Sequence, residues 1–430
     1  MSNHETLLDR FLKYVKIDTQ AVHDMPQMPS SKGQLELAKI VIEDLKQAGV
    51  QDIKLTDDGY LLGTIPSNIP EDNPAYGKVP VVGFLSHFDT AAECSGNNVK
   101  PQVIKNYNGK TITYPDNSEI FLTTEDDLHL KDCIGHTIIT ASGKTLLGAD
   151  DKAGIAAIVE MSHRFRDHPE KLHGKIRIVI IPDEEIAVGA AKLNLKEFGA
   201  DVAYTVDGEW LGEIDVESFN GFKGKVSVQG VAAFPGYGKG VYLNATKVLS
   251  NFVSLMSEKH WPENCEARQS IWWVDGFKGE VDKAEMTIFL RSFDLEDIEE
   301  HKKLLNNIKE TLLQKYAKAK IDIAIESSYK NYKYELDKDK RIVEYAEDAV
   351  KRAGVNPHQS SIRGGNDSCH LCFAGLLSTN VFAGFRKMHS LKEWTSFQVI
   401  EKSAEVITEL ACVWAEKTMC GKRCAHIVHS

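Results

Sequence analysis

The sequence predicts an α/β protein, in which a mostly parallel sheet flanked by helices is interrupted by an inserted α+β domain. Dense apolar runs, typical of buried strands, alternate with amphipathic helical segments up to about residue 221. From residue 222 the apolar residues of the strands alternate with polar ones, and after residue 330 the first pattern resumes. We therefore expect a discontinuous main domain, residues 1–221 and 331–430, with residues 222–330 as the insert.

The elements of the first stretch follow from hydrophobic spacing. Leu, Ile and Val at helical spacing predict helices over residues 5–16 and 34–49. Residues 91–145 are rich in Gly, Asn, Pro and acidic residues and predict irregular structure. LLGAD ends a short apolar segment at residue 150, and a helix follows it. Dense apolar runs predict strands over residues 79–87, 175–182 and 202–208.

The insert and the last stretch are read in the same way. GKVSVQGV, SIWWVDGF, AEMTIFLRSFD and KIDIAIESS predict strands, and LNATKVLSNFVSLMSEKH and the amphipathic segment 297–319 predict helices. After residue 330, RIVEYAEDAVKRAG predicts a helix, GLLSTNVFAG a strand, and VIEKSAEVITELACVWAEK a final helix.

Composition limits the class of function. The 430 residues carry a net charge of −11, which disfavours nucleic-acid binding because an acidic chain repels phosphates. Eight cysteines are spread thinly, as in proteins with reduced thiols, and the polar N-terminus lacks the apolar block of a secretory signal. The apolar stretches are far shorter than the ~20 residues of a membrane-spanning helix. We expect a cytoplasmic protein without a membrane partner.

Acidic and histidine side chains follow the predicted strands at five places. Taken singly, each has an ordinary interpretation, such as a helix cap or a turn. Because ligands of open parallel sheets gather at the carboxyl ends of the strands, the five places are expected to meet. Carboxylates so close together raise one another's pKa, and divalent metal ions would remove that cost. The five places are His87 with Asp89, Asp150 with Asp151, Asp183 to Glu185, Asp207, and His389.

Seven motifs together resemble the peptidase T family. They are, in order, SHFDTAAECSGNNVKP, KTLLGADDKAG, IPDEEIAVGA, AYTVDG, LGEIDVESFN, IRGGND and HSLKEW. This family of tripeptide aminopeptidases belongs to the two-zinc exopeptidases and deacylases, which include glutamate carboxypeptidase and acetylornithine deacetylase. The resemblance implies a zinc exopeptidase-like fold whose insert is a lid and dimerisation domain. It also implies a metallo-aminopeptidase that releases the N-terminal residue of short peptides, tripeptides above all.

The resemblance assigns the metal ligands residue by residue. His87 and Asp207 would bind one metal ion, Glu185 and His389 would bind the other, and Asp150 would bridge the two. Imidazole and carboxylate ligands suit zinc, with manganese or cobalt as alternatives.

Two further carboxylates would act beside the metal ions. Asp89 would accept a hydrogen bond from the far nitrogen of His87 and fix its tautomer. Glu184 would be the general base, taking a proton from a water made acidic by the metal ions and passing it to the leaving amine.

Substrate contacts are implied for three residues. Arg363 and Arg291 would pair with the free carboxylate of the peptide, as an Arg fork can. Asn244 would lie near the substrate. The ordinary alternatives are a surface strand residue for Arg291 and a helix N-cap for Asn244.

Three departures from the family pattern bear on activity. Phe234 stands where the relatives carry a lid histidine that helps to hold the oxyanion, and Phe donates no hydrogen bond. Glu209 replaces a glycine after Asp207, and HSLKEW lacks the second histidine of the family's usual HGKHE. The alternatives are therefore a related two-zinc carboxypeptidase or N-acyl amidohydrolase, or a weakly active or silent peptide-binding homologue.

The sequence also bears on the oligomeric state, on a pair of neighbouring cysteines and on the C-terminal tail. By resemblance, a homodimer through the insert is one of two alternatives, since the 245–258 helix has an apolar stripe. The other is a monomer, in which this stripe packs on the strands of its own domain. In CHLC, at residues 369–372, the cysteines are expected to be small apolar residues of a helix rather than a redox pair. The tail TMCGKRCAHIVHS does not have zinc-finger spacing.

Overall fold

The computed structural model describes the backbone of residues 5–425 and the side chains of residues 5–420, in two compact units. Within the described residues, the first unit comprises the chain up to residue 216, residues 334–360 and the chain from residue 366. The second unit comprises residues 217–333 and 361–365. The lid and dimerisation roles of the insert at residues 222–330 stay predictions.

The elements are numbered in chain order. The helices are α1 (Leu7–Tyr14), α2 (Lys32–Gln47), α3 (Ala149–Asp167), α4 (Gly189–Lys192), α5 (Leu195–Phe198), α6 (Ala245–Leu255), α7 (Leu295–Lys315), α8 (Lys333–Leu336), α9 (Arg341–Arg352), α10 (Asp367–Phe373) and α11 (Phe397–Ala425). The strands are β1 (Gln51–Leu55), β2 (Leu61–Ile65), β3 (Val82–His87), β4 (Gln102–Ile104), β5 (Ile112–Tyr114), β6 (Asn117–Leu122), β7 (Ile138–Thr140), β8 (Ile176–Ile181), β9 (Val202–Gly208), β10 (Glu213–Ser218), β11 (Asn220–Gln229), β12 (Ile271–Gly279), β13 (Lys283–Ser292), β14 (Lys320–Tyr329), β15 (His358–Ile362), β16 (Ser378–Phe382), β17 (Phe385–Arg386) and β18 (Trp394–Ser396).

The first unit is built on an eight-stranded sheet in the order β1-β2-β8-β3-β9-β16-β10-β15. Its centre is parallel, because β3 pairs in parallel with β8 and β9, and β16 does so with β9. Toward the edges of the sheet, β2 pairs antiparallel with β8, and β10 pairs antiparallel with β16. Every residue of β3 is buried, as the dense apolar run predicts. Helices α3, α9 and α10 pack against these central strands, and the predicted α/β class is confirmed.

The stretch at residues 91–145 differs from its prediction. It contains the short strands β4 to β7, of three to six residues each. β4 and β7 join β17 and β18 in a second sheet, and β5 pairs with β6. Three-residue strands carry too little hydrophobic alternation to be recognised in a sequence, and they form here because distant segments supply their partners.

The segment before Asp150 also differs from its prediction. The sequence places Asp150 after an apolar strand, but residues 141–148 form neither strand nor helix. α3 begins irregularly, since Asp150 and Asp151 have non-helical backbone angles. The backbone N–H groups of residues 147–150 donate to the side chain of Glu393 instead of to a neighbouring strand.

The second unit is an antiparallel sheet, in the order β12-β13-β11-β14, with helices α6 and α7 packed on it. The alternation of GKVSVQGV is visible in β11, where Val226 and Val228 are buried and the residues between are less so. The buried face of α6, with Leu249 and Phe252, lies in the same core. The apolar stripe of this helix is therefore used inside its own unit.

Among the helices of the described residues, we find none with the length and apolar content needed to span a bilayer.

Candidate metal centre

Parallel pairing of three strands brings the first site residues together. His87 is the last residue of β3 and pairs with Ile181, the last residue of β8. Glu184 and Glu185 follow β8 in the next turn, and Asp207 is the last but one residue of β9. Since β3 lies between β8 and β9, all these side chains belong to one edge of the sheet.

Asp150 lies between the two histidines. Its Oδ1 is 3.1 Å from Nε2 of His87, and its Oδ2 is 3.3 Å from Nε2 of His389. Each histidine has a second carboxylate of its own. Oδ1 of Asp207 lies 3.5 Å from His87, and Oε2 of Glu185 lies 3.1 Å from His389. The five predicted ligands thus meet in one cluster, with Asp150 shared between its halves.

The pKa values reveal a shortage of positive charge in this cluster. Burial opposes charge on His87, but Asp207 and Asp150 hold its pKa well above the ordinary value. The pKa of His389 rises to about 11, against its burial, because of Asp150 and Glu185. Burial, reinforced by Asp150, raises the pKa of Glu185 to about 8, and burial raises that of Asp207 to about 6. Carboxylates so placed need cations beside them to stay ionised at neutral pH.

Two buried oxygens of the cluster have no hydrogen-bond donor among the residues that the structure describes. They are Oε1 of Glu185 and Oδ1 of Asp207. A buried carboxylate oxygen without a partner is costly, and a cation beside it removes that cost. Carboxylate and imidazole donors are the usual ligands of Zn²⁺. The residues therefore fit a pair of divalent metal ions.

Asp89 faces the second ring nitrogen of His87 with two of its oxygens. Nδ1 of His87 lies 3.0 Å from the backbone carbonyl oxygen of Asp89 and 3.4 Å from its carboxylate Oδ1. The backbone carbonyl oxygen makes the shorter of the two contacts, and the role of the carboxylate in fixing the tautomer stays a prediction. The carboxylate of Asp89 also accepts from the backbone N–H groups of Glu184 and Glu185, each at 3.0 Å. Asp89 thus positions both the histidine and the Asp-Glu-Glu turn.

Glu184 lies beside the ligands, and its backbone is held by Asp89. Burial and the negative charge of Asp367 hold the pKa of Glu184 well above its ordinary value. A carboxylate with a raised pKa accepts a proton more readily near neutral pH, as a general base must.

Asp151 is a neighbour of the cluster that has another task. One of its oxygens lies within 4.8 Å of donor atoms of His87 and Asp207. Its carboxylate, however, already accepts from the hydroxyl of Ser86, from the backbone N–H of His87 at 3.3 Å and from that of Gly154 at 3.1 Å. Asp151 therefore joins the start of α3 to β3.

Sequence reasoning gave no role to two residues that hold the site. Glu393 accepts four backbone N–H groups leading to Asp150, although burial raises its pKa to about 7. Asp183 accepts from the backbone and hydroxyl of Ser30 and from Gln34, so it ties the acidic turn to the start of α2. What could have pointed to them in the sequence is their closeness to predicted site residues, since Glu393 follows His389 by four residues and Asp183 directly precedes Glu184.

The predicted substrate residues belong to the second unit. Arg291 donates to the carbonyl oxygens of Phe222 and Leu290, at 3.1 and 3.0 Å. Its guanidinium group also lies 5.1 to 5.3 Å from three aromatic rings, those of Trp273, Phe289 and Tyr329. It is therefore a partly buried residue of this sheet rather than a simple surface residue.

Asn244 and Arg363 make local contacts within the second unit. The side chain of Asn244 accepts from the backbone N–H of Lys247 at 3.0 Å, which is the ordinary N-cap of α6. Arg363 donates to the carbonyl oxygen of Ala267 and lies over the ring of Phe219. The substrate roles of Arg291, Asn244 and Arg363 stay predictions.

The two substituted positions are in different environments. Phe234 is 71% exposed, and its ring is 5.7 Å from that of Tyr237. Glu209 forms an ion pair with Arg386, which also bonds Asp127 at 3.2 Å. The extra acid beside Asp207 is thus paired with a cation.

The remaining sulfur and tail features have ordinary explanations where they are described. The thiol of Cys372 lies 3.2 Å from the carbonyl oxygen of Ser378, as a small buried residue of α10 can. The side chains of Cys424 and of the histidines at the end of the tail lie outside the described residues.

Comparisons with known proteins identify the family. The sequence profile of "Peptidase family M20/M25/M40" matches residues 147–412. Peptidase T of Geobacillus thermodenitrificans is 37% identical and that of Bacillus pumilus 39% identical, each over 96% of this chain and 99% of the relative.

Solved structures agree in fold. Aminopeptidase PepT from Bacillus cereus has a TM-score of 0.72 at 22% identity, covering 96% of this chain and 99% of that one. A tripeptidase from Staphylococcus aureus has a TM-score of 0.73 at 23% identity, covering 95% and 98%. The Bacillus subtilis YXEP protein, described as a dinuclear metal-binding peptidase of the M20 family, has a TM-score of 0.63 at 14% identity, covering 95% and 97%. The predicted resemblance is confirmed, and the chain belongs to peptidase family M20/M25/M40.

Proposed function

We propose that this chain is an aminopeptidase that uses two divalent metal ions to release the N-terminal residue of short peptides. The observation that carries the proposal is the position of Asp150, whose two oxygens each face a different histidine. One ion would be held by His87, Asp207 and Asp150, and the other by His389, Glu185 and Asp150. Zinc is the metal we propose, with manganese or cobalt as substitutes.

The chemistry divides between the ions and the side chains. Divalent ions at such a site supply Lewis acidity, which makes a water acidic near neutral pH and polarises the scissile carbonyl group. The carboxylate of Glu184 takes the proton of the attacking water at Oε1 or Oε2 and delivers it to the nitrogen of the leaving amine. Asp89 keeps Glu184 and Glu185 in place through their backbone N–H groups.

The substrate class rests on the relatives. They bear the name peptidase T, and one structural neighbour is described as a tripeptidase. We therefore propose tripeptides as preferred substrates, with Arg363 and Arg291 pairing with the peptide carboxylate and Asn244 nearby.

The insert would act as the lid. A homodimer through the insert would need a surface other than the stripe of α6, because that stripe packs within its own unit. We propose peptide catabolism in the cytoplasm as the setting, where thinly spread cysteines would stay reduced.

The experiment combines metal content with substrate range. We expect two divalent ions per purified chain and release of the first residue from a tripeptide with a free amino group. Chelation should abolish this activity, and adding the metal back should restore it. An N-acetylated tripeptide should not be cleaved. Cleavage from the carboxyl end, or of N-acyl amino acids in preference, would favour the carboxypeptidase or amidohydrolase alternatives.

A variant tests the general base. Glu184→Gln should lower kcat by about 10²–10⁴-fold, which is the usual contribution of a positioned base, while both metal ions stay bound. Glu43→Gln is the matched control, since Glu43 is an exposed residue of α2 paired with Lys46. An unchanged kcat in Glu184→Gln would refute the role of this residue.

A further inference from the structure

The backbone that presents Asp150 has little regular structure of its own. Residues 141–148 form neither strand nor helix, and Gly148 adopts a left-handed conformation with φ of 78°. Asp150 itself has non-helical angles. The N–H groups of such a segment need partners outside it, because buried backbone donors without acceptors are costly.

One side chain supplies the partners of the four N–H groups that lead to Asp150, those of residues 147–150. Oε2 of Glu393 accepts from the N–H groups of Leu147 at 2.7 Å and Gly148 at 2.8 Å. Oε1 accepts from those of Ala149 at 2.6 Å and Asp150 at 3.1 Å. Glu393 is 1% exposed. A carboxylate has about four acceptor positions, so this one has none left for a metal ion or a proton donor of the substrate.

Glu393 is itself firmly held. It lies in the loop between β17 and β18, directly before Trp394, which is fully buried and pairs with Thr140 of β7. The same loop carries His389. One short loop therefore provides a histidine of the cluster and, four residues later, the anchor for the shared Asp150.

We propose that Glu393 is a positioning residue that sets the carboxylate of Asp150 between the two histidines and so controls the affinity for both metal ions together. This inference rests on the proposed function. Because Asp150 is shared, a displacement of its backbone would disturb both halves of the site at once. A residue that acted on only one half of the site would lower the affinity for one metal ion and leave the affinity for the other unchanged.

Glu393→Gln tests the proposal with a side chain of the same size. Its amide keeps one acceptor oxygen but turns an NH₂ group toward two backbone donors. We expect affinity for Zn²⁺, measured by competition with a chromophoric chelator, to fall by about 10–100-fold for both ions, as is typical when a partner of a ligand is removed. At saturating Zn²⁺, kcat should fall and KM should change little, because the four backbone N–H groups occupy the acceptor positions of Glu393 and leave none for the substrate.

Two further variants keep the test decisive. Glu393→Asp retains the charge but is one methylene shorter, so we expect an affinity between those of wild type and Glu393→Gln. Asp44→Asn is the matched control. Asp44, a residue of α2, also has a buried carboxylate, but this carboxylate accepts hydrogen bonds from Tyr14 and Lys13 of α1. The Asp44→Asn substitution should lower the melting temperature of the protein without changing its metal affinity or kcat.

The outcomes separate the proposals. If Glu393→Gln melts at a lower temperature but binds Zn²⁺ with wild-type affinity and keeps its kcat, Glu393 only stabilises the fold and the proposal is wrong. If Glu393→Gln does not fold, wild-type affinity in Glu393→Asp overturns it in the same way. If the wild type binds no divalent metal, the proposed function fails, and this inference fails with it.

Discussion

The stability of the second unit should depend on pH through one buried histidine, His301 of α7. The residue is 1% exposed, and its Nε2 lies 3.2 Å from the hydroxyl of Ser270 and 3.4 Å from Nδ1 of His260. Its Nδ1 has no partner among the described residues. Burial, reinforced by His260, lowers the pKa of His301 to about 4 from the ordinary 6.5. The folded state therefore holds this imidazole neutral.

The direction and size of the change in stability with pH follow from proton linkage. At pH 7 His301 is mostly neutral in both the folded and the unfolded chain, and its contribution is small. Between pH 6.5 and pH 4 the unfolded chain binds a proton that the folded chain does not, so stability falls as the pH falls. With pKa values of about 4 and 6.5, the linkage relation gives a loss of about 2 kcal/mol at pH 5.

The assay is urea unfolding at pH 7 and pH 5, followed by a signal that reports the second unit. Wild type should lose about 2 kcal/mol more than His301→Asn over this interval. His23→Asn, which changes an exposed histidine, should behave like wild type. An equal loss in wild type and His301→Asn would refute the reasoning, and so would a gain in stability at pH 5.

Two substitutions with matched controls give further predictions. A Cβ at Gly154 would lie 2.0 Å from the carbonyl oxygen of Val206, so Gly154→Ala should force α3 away from β9 and lower the free energy of unfolding by about 3 kcal/mol. Gly276→Ala, with nothing within 4 Å, should change it by less than about 0.5 kcal/mol, and equal unfolding midpoints would contradict this. Phe234→His should raise kcat on tripeptides toward the roughly 10²–10³-fold that an oxyanion donor contributes. Tyr237→His, at a neighbouring exposed aromatic residue, should not raise kcat, and a lack of gain for Phe234→His on every peptide would count against the lid role.

The positions of three ligands follow from local sequence. His87, Glu185 and Asp207 come after apolar runs that are dense enough to identify β3, β8 and β9. Once these strands are taken as parallel neighbours, their carboxyl ends must share one edge. The sequence alone therefore predicts that these side chains form one cluster.

Asp89 is a residue whose neighbourhood was predictable but whose contacts were not. Its distance of two residues from His87 places it beside the ring, but it does not decide between backbone and side chain as the acceptor. In the structure the carbonyl oxygen of Asp89 lies closer to the ring of His87 than its carboxylate does, and the carboxylate also accepts from the backbone of Glu184 and Glu185.

The amino-acid sequence by itself determined the longer helices, the central strands β3, β8 and β9, and the acidic and histidine residues that follow these strands, because hydrophobic spacing is a local property. Only the tertiary structure decided how Asp150 is held. Its segment looks like the end of an apolar strand, yet its N–H groups go to Glu393, more than 240 residues further along the chain. A hydrogen bond between segments so far apart leaves no periodic trace in either of them, since it requires only one acceptor at one place.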